Sequence, residues 1–193
     1  MAKNKTTFHV TMGSNQFSTH EREEHDFYAT NPQALELFPL LEELTDVWEC
    51  AVGMGHLAEV LKRNKKLARA SDLIDRGYPN TEIIDFLEYD GQWYGDILTN
   101  PPFRLSTQFL EKAMSIVDSG RKVCMFLPVR YVEGKARRKL FDGYPPKVVY
   151  VSTGRLNCAK NGDFDNYQSK AVAFAWFVWE KDYEGYTTLK WFN

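Results

Sequence analysis

Residues 46–63 read DVWECAVGMGHLAEVLKR, and their reading decides the fold. DVWEC (46–50) has the length and apolar content of a short buried strand, and it ends on an acid, Glu49, and Cys50. A turn carrying Gly53 and Gly55 follows, and HLAEVLKRNKK (56–66) then reads as a helix. Glycines accept positive φ and let a ligand approach the backbone, while the start of a helix offers unpaired N–H groups. In an open α/β sheet, the crevice at the carboxyl ends of the strands is where cofactors bind.

The rest of the chain fits the same plan. Asn31-Pro32 is a helix start running into ALELFPLLEEL, with Pro39 placed to kink or break it. LARASDL (67–73), EIIDFL (82–87) and YGDILTN (94–100) read as strands, and residues 104–118 have helical spacing at Leu105, Phe109, Leu110, Ala113 and Ile116. Strand KVCMFLP, a basic helix at 132–142, strand KVVYVST, a polar loop at 154–169 and strand KAVAFAWFVWE follow, with TTLKWF as a last edge strand. Alternating strands and helices that give way to a strand-rich end predict an open, mostly parallel α/β sheet with an antiparallel edge strand. The organisation expected is a loose polar arm over residues 1–26 and a single domain over 27–193.

Composition narrows the function classes. A chain of 193 residues suits one α/β domain, and 44% apolar with 15% aromatic residues excludes intrinsic disorder. No apolar run approaches the roughly 20 residues of a membrane helix, and MAKNKTTFHVTMGS lacks a signal-peptide core. Cys50, Cys124 and Cys158 are scattered without CxxC spacing, and His9, His20 and His25 lack metal-ligand spacing, so neither a disulfide framework nor a metal site is expected. These features together predict a soluble cytoplasmic protein. The net charge of −2 hides an asymmetry: residues 121–170 hold eleven Lys/Arg against four Asp/Glu, or +7, which leaves −9 elsewhere. A basic third on an acidic chain suits a polyanion docked on one face, and equally a solvated helix.

The glycine turn alone is ambiguous. Gly53, Gly55 and Ala58 satisfy GxGxxA, which dinucleotide- and S-adenosylmethionine-binding (SAM-binding) proteins share, and a tight strand–helix turn without ligand has the same form. Asp72 ends the next strand, where a carboxylate can accept from ribose hydroxyls, and Asp85 ends the third, within reach of an adenine amine. His56, just after Gly55, either touches the cofactor or caps the helix.

The tetrapeptide Asn100-Pro101-Pro102-Phe103 separates the alternatives. It follows a predicted strand, so it lies at the same sheet edge as the glycine turn, and two prolines stiffen the backbone there. An exocyclic amine on a base is a poor nucleophile because its lone pair is delocalised into the ring. The Asn100 amide oxygen and the Pro101 carbonyl can hold both N–H bonds and turn that lone pair toward an incoming methyl. Phe103 can stack on the base, a contact worth roughly 1–3 kcal/mol. Transfer from a sulfonium then needs positioning and well-placed acceptors, and no general base of unusual pKa.

ECAVGMGHL, DLIDRGYP, TNPPF and the earlier DFYATNPQAL together resemble the SAM-dependent DNA adenine-N6 methyltransferases of phages and mobile elements, from about residue 20 onward. The resemblance implies a Rossmann-like class I SAM methyltransferase fold. It also implies that Phe27, Tyr28, Ala29 and Thr30 form the N-terminal cofactor motif, and that Glu49, Gly53 and Gly55 wrap the methionine part of SAM. Asp72 would bind the ribose, Asp85 the adenine, and Asn100 to Phe103 would be catalytic. The chain departs from the family in having Cys50 where proline often follows the acid, and in lacking a large target-recognition domain. Recognition is therefore expected from the 130–139 segment and the 154–169 loop, with short or relaxed sequence specificity. Arg130, Arg137, Arg138 and Lys160 are the expected phosphate contacts, or else ordinary surface charge. DNA is the expected partner, with RNA open. The competing functions are methylation of an RNA base or a protein glutamine, an NAD(P)-dependent oxidoreductase, and a nucleic-acid-binding or anti-restriction module without turnover. The oxidoreductase reading leaves Asn-Pro-Pro-Phe unexplained.

Overall fold

Strand order fixes where a ligand can sit in this fold. A computed structural model describes residues 29–154, 156, 158, 159, 164 and 172–193. The elements are β1 (Ala29–Thr30), α1 (Gln33–Glu36), β2 (Val47–Glu49), α2 (His56–Arg63), β3 (Leu67–Asp72), β4 (Glu82–Ile83) and β5 (Ile97–Thr99). After them come α3 (Ser106–Ile116), β6 (Lys122–Pro128), α4 (Lys135–Gly143), β7 (Val148–Ser152), β8 (Cys158–Ala159), β9 (Phe174–Glu180) and β10 (Thr188–Phe192). Eight strands form one sheet in the order β10-β7-β9-β6-β5-β2-β3-β4, and β1 pairs with β8 in a separate ribbon.

The chain lays down β2, β3 and β4 in one direction, then returns to place β5 and β6 on the other side of β2. The parallel pairing of β2 with both β3 and β5 makes the crevice between β2 and β5 the point where the winding reverses. Glu49 ends β2 and Asn100 follows β5, so topology brings the glycine turn and the tetrapeptide to that one crevice.

Both faces of the sheet are covered, which explains its continuous apolar runs. Along β9, Phe174, Trp176 and Val178 face one core, and Ala175, Phe177 and Trp179 face the other. β6 alternates in the same way, with Cys124 and Phe126 opposite Val123, Met125 and Leu127. The buried indoles find acceptors: Trp176 donates to the Ala34 carbonyl (2.7 Å) and Trp179 to that of Tyr144 (3.0 Å). The aromatics of the last long strand are thus core.

Several boundaries differ from the sequence reading. The predicted antiparallel strand is β9, but it lies inside the sheet, antiparallel to both β6 and β7; the edge is β10, which runs parallel to β7. A strand as apolar as β9 gains more by burial on both faces than it would at an edge. The first helix does break around Pro39, as its sequence predicts, into α1 and a 3-10 turn at Leu41–Glu43. The third strand stops at Ile83, so Asp85 lies two residues past its end and caps a 3-10 turn at Phe86–Glu88 by accepting from the Leu87 N–H (2.9 Å). The basic helix is α4, starting at Lys135.

Candidate active site

A cavity of about 410 Å³ opens at the crevice, within the range of small-molecule and cofactor sites. Ala29, Thr30, Glu49, Gly53, Asp72, Asp85 and all four residues of Asn100–Phe103 line it, so the structure brings these sequence-predicted residues together. Gly55 does not line it. Phe27, Tyr28, Lys160 and most of the 154–169 loop lie outside the described residues.

The glycine turn is held from the neighbouring strand. Gly53 (φ 54°) donates its N–H to Asp72 Oδ2 (2.8 Å), and the other oxygen, Oδ1, accepts from the Ile74 N–H (3.1 Å). Each carboxylate oxygen has a second lone pair, so Asp72 can brace the turn and still accept from a ribose. Gly55 has φ 85°, and a Cβ there would come within 2.0 Å of the Tyr78 ring. The close approach at this glycine is to Tyr78, a core side chain. His56 opens α2, lines the cavity and meets Phe164 edge-on with ring centroids 5.3 Å apart; burial lowers its pKa.

Glu49 differs sharply from the sheet's other buried acid. At the opposite end of the sheet, Asp96 accepts from the Thr45 N–H (2.8 Å) with one oxygen and from the Lys122 N–H (2.7 Å) with the other, tying strands together. Glu49 is 1% exposed, and its Oε1 accepts from the Ala51 N–H (3.2 Å). Its Oε2 is buried with no hydrogen-bond partner among the described residues. Burial pushes its pKa to about 8, against the opposing pull of the Thr99 hydroxyl and the Ala51 N–H, with the Asp72 charge raising it further. A buried carboxyl with an unused acceptor on a cofactor-sized cavity fits a ligand that brings a positive charge or N–H donors.

Asn100 sits where β5 ends. Its Nδ2 donates to Thr30 Oγ1 (2.8 Å) and lies 3.8 Å from Cys158 Sγ, and Thr30 and Cys158 are register partners in the β1–β8 ribbon. The chain then turns into α3 through its own carbonyls: Leu105 N–H donates to Pro102 O (2.8 Å), and Ser106 Oγ donates to Phe103 O (2.8 Å). Phe103 is half-buried between the two cores, its ring centroid 6.0 Å from that of Phe174. It also lines a second pocket of about 60 Å³ with Leu127, Pro128, Arg130, Tyr131 and Arg137. Two of the predicted phosphate contacts thereby adjoin the tetrapeptide.

The basic residues are not equivalent. The Arg137 guanidinium stacks 4.5 Å from the Tyr131 ring centroid and donates to the Glu133 carbonyl (2.9 Å). Arg138 pairs with Asp142 (2.8 Å) on the exposed side of α4. Arg130 is exposed at the small pocket. Sequence reading missed Thr99 as a neighbour of Glu49 and Cys158 as a neighbour of Asn100. No local pattern marks either, and Cys158 is 58 residues from Asn100. Among the described residues no group of His, Cys, Asp and Glu gathers as metal ligands, and no helix is long and apolar enough to cross a membrane.

No protein-family model and no curated protein matches the chain. Solved structures do. TrmN from Thermus thermophilus superposes with a TM-score of 0.53 at 19% identity, covering 78% of this chain and 48% of that one. A protein of Listeria monocytogenes assigned to the class I S-adenosylmethionine-dependent methyltransferases gives 0.51 at 12% identity, covering 76% and 58%. The M protein of the type I restriction enzyme EcoKI gives 0.50 at 14% identity, covering 78% and 43%. The chain spans about half the length of these structures. With its strand order, its switch-point cavity and these likenesses, the chain has the Rossmann-like fold of the class I SAM-dependent methyltransferases.

Proposed function

We propose that this protein transfers a methyl group from SAM to the exocyclic N6 amine of adenine in DNA. The observation that carries the reading is the placement of Asn100-Pro101-Pro102-Phe103 at the carboxyl end of β5, on the same cavity as Glu49 and the glycine turn. The residues fit the donor. Glu49 Oε2 would accept from the ammonium of its methionine part, the Gly53 turn would follow its chain, and Asp72 and Asp85 would take the ribose and the adenine. When bound, SAM supplies a sulfonium-activated methyl.

The chain's own residues then act on the acceptor base. The Asn100 amide oxygen and the Pro101 carbonyl accept the two N–H bonds of the amine and turn its lone pair toward the donor. Phe103 stacks on the ring. Held this way, the amine would take the methyl that SAM supplies, leaving the donor a neutral thioether, and would give up one proton to solvent. A duplex base reaches the crevice only by leaving the stack, at a cost of a few kcal/mol. Arg130 and Arg137 adjoin Phe103 on a segment of +7 charge and would hold the flanking phosphates, and the 154–169 loop would complete recognition of a short or relaxed target. Three buried thiols suit the reducing cytoplasm.

The test is incubation with labelled SAM and unmethylated DNA, followed by nucleoside mass spectrometry, with Asn100→Ala as control. N6-methyladenine from wild type and a loss of orders of magnitude in Asn100→Ala is the expected result. Label in RNA or in glutamine would reassign the acceptor. SAM binding without transfer to any of them would leave a binding module, and Asn100→Ala at full rate would end the acceptor mechanism.

A further inference from the structure

Among the described residues the β1–β8 ribbon pairs Ala29 with Ala159 and Thr30 with Cys158, and the second of these pairs lies against the tetrapeptide. Thr30 and Cys158 face each other across the ribbon, 4% and 7% exposed. An asparagine amide nitrogen has two hydrogens to give. Thr30 Oγ1, at 2.8 Å, and Cys158 Sγ, at 3.8 Å, receive them from Asn100, the sulfur contact being the longer and weaker. Rotating the amide by half a turn would set its oxygen against both groups; the Thr30 hydroxyl anchors the amide either way, and the thiol, a poor donor, disfavours the turned one. Burial keeps that thiol protonated, its pKa pushed up to about 12, so the sulfur adds no anion beside the reacting amine.

We infer that Thr30 and Cys158 are positioning residues that fix the rotation of the Asn100 amide, with Thr30 acting on Asn100 rather than on the cofactor. The inference rests on the proposed reading of Asn100 as an acceptor for a base amine. It differs from the family resemblance, which puts Thr30 among the cofactor contacts. It also gives the ribbon a purpose: residues 70 and 58 positions away in sequence clamp one end of one amide, leaving the other end directed by the fold.

Two measurements test it. The first is methyl transfer to unmethylated double-stranded DNA, with SAM affinity measured separately by calorimetry. Thr30→Val keeps the shape and removes the hydroxyl; kcat should fall about 10- to 100-fold, the scale on which slight misplacement of a reacting group acts. The SAM Kd should stay within about twofold, and Thr30→Ser should recover most of kcat. The reverse split, a weaker SAM Kd with kcat intact, or equal damage from Val and Ser, overturns the inference. The second measurement needs no substrate. The Asn100 side-chain NH2 signals, assigned by their loss in Asn100→Ala, should be protected from solvent exchange in wild type and in Thr30→Ser. In Thr30→Val that protection should drop at least tenfold, because one anchored hydrogen loses its acceptor. Unchanged protection overturns the inference even if transfer is seen. Protection that drops as expected, in a protein that methylates no DNA, upholds the clamp and removes the proposed acceptor instead.

Discussion

Glu49→Gln should abolish a pH dependence that the wild-type fold carries in its core. The Glu49 carboxyl is 1% exposed, and burial raises its pKa from 4.5 to about 8. Between those values the folded protein holds a proton that the unfolded chain has released. The raised group therefore favours the folded state at low pH, and that contribution drains away as pH climbs from 4.5 and levels off above about 8. At about 1.4 kcal/mol per pH unit, with the slope dying out above the folded pKa, wild type should lose about 3 kcal/mol relative to Glu49→Gln between pH 6 and pH 9. In a chain of this size 1 kcal/mol moves Tm by about 2–4 °C, so the difference in Tm between the two proteins should change by about 6–12 °C. Near-UV circular dichroism melts at half-unit intervals measure it. Subtracting the two curves cancels to first order the shared groups that do not interact with Glu49. Saturating SAM should flatten the wild-type slope, because a cation at Oε2 favours the ionised carboxylate. Two Tm curves that stay parallel across the range would mean Glu49 is already ionised and solvated, and the argument for a charge-seeking cavity would fail with it.

Three further outcomes follow from named contacts. Gly55→Ala combines a left-handed φ of 85° with a Cβ 2.0 Å from Tyr78 and should cost about 2–4 kcal/mol in urea unfolding; in a Tyr78→Leu background the same change should cost less, because the clashing ring atoms are gone. Asp72→Asn sets an NH2 group against either the Gly53 or the Ile74 N–H, and should cost about 1–3 kcal/mol of stability and weaken SAM at least about tenfold by calorimetry, with a smaller effect on kcat. Arg137→Ala should reduce the salt slope of DNA binding by about one and weaken binding to all sequences alike, whereas Arg138→Ala, which breaks only the pair with Asp142, should change it less.

Much of the fold is legible locally. The DVWEC strand, the Gly53–Gly55 turn and the helix from His56 come from apolar length, positive-φ glycine and helical content within about 20 consecutive residues, and all three stand where the sequence puts them. The tetrapeptide is legible for the same reason, since two prolines after a β5-type run must end the strand and begin a turn. Asp85 shows where this logic weakens: a run as short as EIIDFL does not say whether its acid ends a strand or caps the turn beyond it, and the fold chose the cap.

The sequence by itself determined which segments become strands and which glycines bend back, because propensity, periodicity and turn geometry act over a few residues. Only the tertiary structure decided that β9 would be interior, that Gly55 would make room for Tyr78, that Glu49 would be buried with one oxygen unpartnered among the described residues, and that Thr30 and Cys158 would clamp Asn100. Each of these depends on the desolvation or spacing of groups far apart along the chain, which exists only after the sheet has closed its winding around the crevice.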